Sequence, residues 1–115
     1  APFHCDLMAP VQAPLTEHLE TLAWETPQMP WIANVDAVAH DRVEDIIPLL
    51  TAQVTAPVRF TQMIQTLLAQ GVDTFVEIGP GKVLTGILKR EAKGCRLLNV
   101  SHKSDVTDVA NALSA

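Results

Sequence analysis

Few side chains in this sequence can do chemistry, and most of them stand alone. Four histidines (His4, His18, His40, His102) and two cysteines (Cys5, Cys95) are the candidate metal ligands. His4 and Cys5 are adjacent, and neighbouring side chains seldom close on one ion. No CxxC, HxxxH or HExxH spacing occurs, so neither a metal site nor a metal cofactor is expected. His4 beside Cys5 is formally a base beside a thiol, but consecutive side chains normally diverge. The serines are Ser101, Ser104 and Ser114, and none lies in a GxSxG turn. Ser101 and His102 are also neighbours, which is poor geometry for a base reaching a hydroxyl. The sequence therefore holds candidate acids and bases without a complete nucleophilic set.

One turn invites a phosphate-binding reading. Gly79-Pro80-Gly81-Lys82 follows an apolar strand and opens a helix. The Walker pattern places a glycine where Val76 stands and Ser or Thr where Val83 stands, so the match to a nucleotide loop is poor. What remains is a helix N-terminus at a tight turn, where glycine supplies positive φ.

The elements that must position these residues follow from apolar spacing. Met8, Val11, Leu15, Leu19 and Leu22 form one helical stripe, with the regular helix beginning near Gln12 after Pro10. Trp31 to Val35 reads as a short strand and Asp36 to Asp41 as a loop. Val43, Ile46, Ile47, Leu50 and Val54 predict a second helix, capped by Asp41 and bent at Pro48. A third helix runs from Phe60 to a stop at Gly71. Thr74 to Ile78 is the best strand, Val83 starts a fourth helix, Cys95 to Val100 is another strand, and Asp105 to Leu113 closes the chain. Helices alternating with short apolar strands predict an α/β fold with a mostly parallel sheet.

The chain has 115 residues, 48% hydrophobic and 18% charged, which fits one domain and excludes a disordered chain or a disulfide scaffold. No apolar run reaches the length of a membrane span, so no membrane partner is expected. No signal peptide is visible, and the default compartment is the cytoplasm with both thiols reduced. The net charge of -5 disfavours nucleic acid as a partner. The charge is unevenly spread. Residues 1 to 81 hold Arg42 and Arg59 against ten acids, whereas residues 82 to 103 hold six basic residues against Glu91. Such a run is ordinary helix-end and surface charge, or a docking surface for an anionic partner. A non-catalytic module that binds an acidic protein is one reading.

The ordered motifs carry a more specific one. Pro2-Phe3-His4-Cys5-Asp6-Leu7-Met8 resembles the catalytic-histidine segment of the malonyl-CoA:acyl carrier protein transacylases. Asn34-Val35-Asp36 resembles the strand after that family's first helix. Gln53-Val54-Thr55-Ala56-Pro57-Val58-Arg59-Phe60 is similar to its Gln…Pro-Val-polar-aromatic segment. Phe75 to Leu84 (FVEIGPGKVL) is close to a family signature, followed by Lys89-Arg90. Four motifs in the family's order are far more specific than any one of them.

The resemblance implies residues 1–115 are the C-terminal segment of a malonyl/acyl transferase domain. That segment is the last part of its hydrolase-like large subdomain. The serine elbow and the ferredoxin-like subdomain would lie elsewhere, so the segment alone is expected to be inactive. The implied reaction moves a malonyl group from coenzyme A to the phosphopantetheine thiol of an acyl carrier protein, through a malonyl-serine ester, for fatty-acid synthesis. It needs no cofactor; malonyl-CoA is the substrate. The implied partners are acyl carrier protein and the N-terminal part of the same enzyme. His4 falls on the general base, and the main-chain carbonyl of Gln53 on the group that holds its second nitrogen. Phe3 matches a position that is often Phe for malonyl and Ser for methylmalonyl in polyketide acyltransferases. Val83 matches a wall of the acyl pocket. An acyltransferase segment of a polyketide or fatty-acid megasynthase is an alternative within the same chemistry.

Overall fold

A computed structural model describes residues 2–114. The chain divides into two compact units, residues 1–66 and 67–115.

In the first unit a single 3-10 segment, Asp6–Val11, leads directly into helix α1, Gln12–Glu20. Pro10 sits in the 3-10 segment, ahead of α1, where its missing N–H costs no α-helical bond. Strands β1 (Trp31–Ile32) and β2 (Ala39–His40) pair antiparallel, Trp31 opposite His40. The expected strand to Val35 is cut short, and the expected loop contains a strand. Asn34 and Asp36 are turn formers, and the Ala33 N–H donates to the Val38 carbonyl at 3.3 Å, folding the segment back into a ribbon. Ala37 takes a left-handed φ of 59° in that turn.

A 3-10 turn, Val43–Asp45, precedes helix α2, Ile46–Ala52. Asp41 does not cap it: Arg42 is the residue before the turn, with no side-chain cap. Pro48 lies inside α2, as the sequence predicts. It is the third residue of α2, in the first turn, where no intrahelical donor is needed. Helix α3, Phe60–Ala69, starts in this unit and contributes Ile64, 2% exposed, the largest fully buried side chain.

In the second unit α3 ends as its sequence dictates. Gly71 has φ 84°, its N–H donates to Leu68, and the Val72 N–H reaches back to Leu67 at 3.1 Å, a glycine-terminated cap. Strand β3 (Thr74–Ile78), helix α4 (Val83–Glu91) and strand β4 (Arg96–Val100) form a βαβ unit with parallel pairing, Thr74 opposite Arg96 through Ile78 opposite Val100. Helix α5, Asp105–Ser114, follows. Leu88 and Ala92 are buried here. The fold is α/β with a parallel sheet, as the alternation predicts, and carries the antiparallel ribbon in addition.

Candidate functional site

His4 lies between Phe3 and the 3-10 segment with φ 58°, a left-handed conformation unusual for a residue with a side chain. Such strain persists only where neighbouring contacts hold it. One contact is specific. The His4 Nδ1 is 2.8 Å from the main-chain oxygen of Gln53. A carbonyl oxygen only accepts, so Nδ1 carries the proton, and the neutral ring presents its lone pair at Nε2.

The Gln53 carbonyl is free for this because of where α2 stops. The last carbonyls of a helix have no intrahelical donor, and Gln53 is the residue that ends α2. Its N–H still donates to Leu49 at 3.1 Å, so the backbone there is fixed. The side chain is held as well: Asn34 Nδ2 donates to Gln53 Oε1 at 2.7 Å. Asn34 is in turn anchored by the Arg59 N–H on its carbonyl at 3.0 Å, and Arg59 Nε donates to Val35 O at 2.7 Å. From the other side, Gln12 Nε2 donates to Thr51 O at 3.2 Å, and the Thr16 and Thr51 hydroxyls are 2.8 Å apart. The end of α2 is thus clasped by α1 and by the turn after β1.

Phe3, His4 and Gln53 line one open cleft of about 290 Å³, together with Met8, Val11, Asn34 and Val54. The structure therefore gathers three of the four site residues expected from the sequence. Val83 is not on this cleft. It belongs to the second unit, opens α4, and is 73% exposed. Residues to which the sequence assigns no site role are Asn34, Gln12, Thr16 and Thr51. Their signal was available in part: Gln12 and Thr16 stand four apart beside the apolar stripe, and so share a helix face.

In the second unit, the glycine turn serves α4. Leu84 and Thr85 N–H groups donate to the two oxygens of Glu77 at 3.1 and 2.8 Å, so a carboxylate from β3 occupies the positive end of the helix. The Thr85 hydroxyl, the Thr85 N–H and the Leu84 N–H hold Glu77 below the usual carboxylate range. Asn99 Nδ2 donates to the Gly81 carbonyl at 3.0 Å and fixes the turn to β4. A second cleft, about 720 Å³, carries Lys82, Lys89 and His102 on its walls with Asp105 and Asp108. The basic run is exposed, but Arg96 is engaged by the Ala112 carbonyl at 2.6 Å.

No family profile matches the chain. The malonyl CoA-acyl carrier protein transacylase of Bacillus subtilis is 41% identical over 100 residues, which are 87% of this chain and 32% of that protein. The crystal structure of acyl-carrier-protein-S-malonyltransferase from Bartonella henselae superposes with a TM-score of 0.92 at 37% identity, covering 100% of this chain and 37% of that one. The chain is a homologue of the malonyl-CoA:acyl carrier protein transacylases. It spans about a third of the length of the relatives it matches, which fits a C-terminal segment of such a transacylase. A third match is a malonyl-transacylase solved in complex with its type II PKS acyl-carrier protein, at TM-score 0.85 and 37% identity over 96% of this chain and 36% of that one.

Proposed function

We propose that this chain supplies the proton-transfer histidine of a malonyl-CoA:acyl carrier protein transacylase. The observation that carries the reading is the 2.8 Å contact of His4 Nδ1 with the Gln53 carbonyl. It makes Nε2 the lone-pair nitrogen of the neutral ring, on an exposed side chain in an open cleft. On this reading the nucleophile is a serine hydroxyl from polypeptide outside these residues, since none of Ser101, Ser104 and Ser114 lies in a GxSxG turn.

In the first half-reaction His4 Nε2 takes the serine proton as the oxygen attacks the thioester carbonyl of malonyl-CoA. The C–S bond breaks, the coenzyme A sulfur takes that proton from Nε2, and a malonyl-serine ester remains. In the second, the phosphopantetheine thiol of acyl carrier protein gives its proton to Nε2 and attacks the ester. The serine oxygen leaves with the proton, and the malonyl thioester of the carrier is formed. A carbonyl partner suits a group that works in both directions, because it fixes the tautomer and brings no net charge.

Phe3 neighbours His4 in the cleft and is 66% exposed, so its ring is available to occupy space an α-methyl would need. Val83 as an acyl-pocket wall rests on the family likeness alone. Malonyl-CoA, acyl carrier protein and the serine-bearing part of the enzyme are the partners this reading requires, in a cytoplasmic fatty-acid synthesis setting. The chain by itself has no transferase activity on this account.

A chimera tests the reading: the Bacillus subtilis relative with its matching stretch replaced by this chain. Malonyl transfer should fall roughly 10²- to 10⁴-fold in the His4→Ala chimera. Gln53→Ala keeps the carbonyl and should cost less than about tenfold. A His4→Ala chimera that transfers malonyl at the parent rate would refute the assignment.

A further inference from the structure

His40 is a histidine the transfer chemistry does not use, and both of its ring nitrogens face carboxylates. Nε2 is 3.0 Å from Asp36 Oδ2 and Nδ1 is 3.4 Å from Asp45 Oδ2. A carboxylate only accepts, so both contacts are hydrogen bonds only when the ring carries both protons. The ring is largely buried, with 17% of its side chain exposed, against 35% for Asp36 and 37% for Asp45. Across the ribbon its partner is Trp31, ring centroids 5.4 Å apart. The nearby charges in sequence are Asp41, which is exposed, and Arg42, which points to Glu44 at 3.5 Å.

We infer that the His40 imidazolium is a proton-dependent clamp that positions the Asn34–Gln53 pair. The geometry is a bracket around α2. Asp36 lies in the turn that also carries Asn34. Asp45 lies immediately ahead of α2, and Gln53 lies at its end. His40 thus ties the turn to the start of α2, while Asn34 ties the same turn to its finish. The seven-residue helix, roughly 10 Å long, is held to one turn at both ends. The turn needs holding, because Ala37 is left-handed and the Val38 N–H depends on Asp36 Oδ1 at 3.0 Å.

The sign on each side is fixed. Loss of the second imidazole proton leaves one carboxylate facing a lone pair, so the clamp opens when that proton leaves on the alkaline side. Partial burial pushes Asp36 up, but the Val38 N–H and the His40 hydrogen bond and charge outweigh it, and its carboxyl sits below the ordinary value. The Asp36 contribution is therefore present above the usual carboxylate range and is lost as pH falls through the lowered value.

The clamp itself does not depend on the transfer reaction. Only its positioning of the carbonyl that holds His4 rests on the proposed function, so the test reads structure and not activity. In the Trp24→Phe chain, Trp31 is the sole indole. Its N–H is buried with no partner among the described residues, so its emission follows ring contact with His40 more than solvent. An imidazolium quenches an adjacent indole more strongly than neutral imidazole does. Emission should rise in one transition with pH, and the amide resonances of Asn34 and Gln53 should shift with the same midpoint. His40→Gln should abolish both. Asp45→Asn, which keeps the Asp36 contact, should move the transition to lower pH and serves if His40→Gln does not fold. Asn34 and Gln53 resonances that stay fixed while His40 titrates would overturn the positioning role. A Trp31 transition unchanged in Asp45→Asn would overturn the clamp.

Discussion

At the scale of single residues, the cleft joins an imidazole held by a main-chain carbonyl to an exposed aromatic ring. His4 owes its tautomer to an acceptor that cannot donate, and Gln53 owes its free carbonyl to a helix end. Phe3 stands beside them as bulk. Phe3→Ser in the chimera should raise kcat/KM for methylmalonyl-CoA relative to malonyl-CoA by about tenfold, the order expected when one methyl group gains room. An unchanged ratio would reduce Phe3 to a packing residue. His4 and Phe3 were legible because the motif around them is contiguous. Asn34 was not, since its role depends on a contact with Gln53, nineteen positions away, that no local pattern encodes.

At the scale of elements, helix ends carry much of the polar bonding. Glu77 caps α4 from β3, and Asp105, the first residue of α5, reaches back to accept from the Ser101 and His102 N–H groups of the preceding loop at 3.0 and 2.9 Å. Both carboxyls are held below their usual range, so each stabilises above the ordinary carboxylate value and is lost as pH falls through the lowered one. Glu77→Gln should therefore lower Tm at neutral pH and shrink that difference toward zero in acid, as thermal melts followed by circular dichroism would show. A Tm deficit that persists in acid would contradict the capping account. The apolar counterpart is Ile64, fully buried on α3, and Ile64→Ala should cost about 2–5 kcal/mol in chemical unfolding. The long periodic elements, α1, α3, β3, α4 and β4, were readable because each repeats its pattern over at least five residues. The ribbon was not. Its strands are two residues each, too short for alternation to register, and turn formers at Asn34 and Asp36 look like loop. The cap on the second helix was misplaced for a related reason, since a 3-10 turn intervenes before α2 and shifts its start past Asp41.

At the scale of the whole molecule, the chain carries large apolar side chains in the open. Leu7, Met29, Ile78 and Val83 are each more than 70% exposed. Exposed apolar surface of this kind marks an interaction face, and on the proposed function the serine-bearing part of the enzyme would cover it. On the proposed function, the exposed basic side chains of residues 82–103 would face an acidic carrier protein. Lys89→Glu with Arg90→Glu in the chimera should raise the KM for acyl carrier protein several-fold at low salt and leave kcat near the parent value, whereas an unmoved KM would remove that role. The central claim is that an imidazole at position 4 moves the proton for a hydroxyl supplied by other polypeptide. Intact-protein mass spectrometry of the chimera after mixing with malonyl-CoA reads it directly. The account predicts rapid gain of one malonyl group on serine in the parent and its near absence on the same timescale in His4→Ala. Equal acylation rates in the two would contradict it.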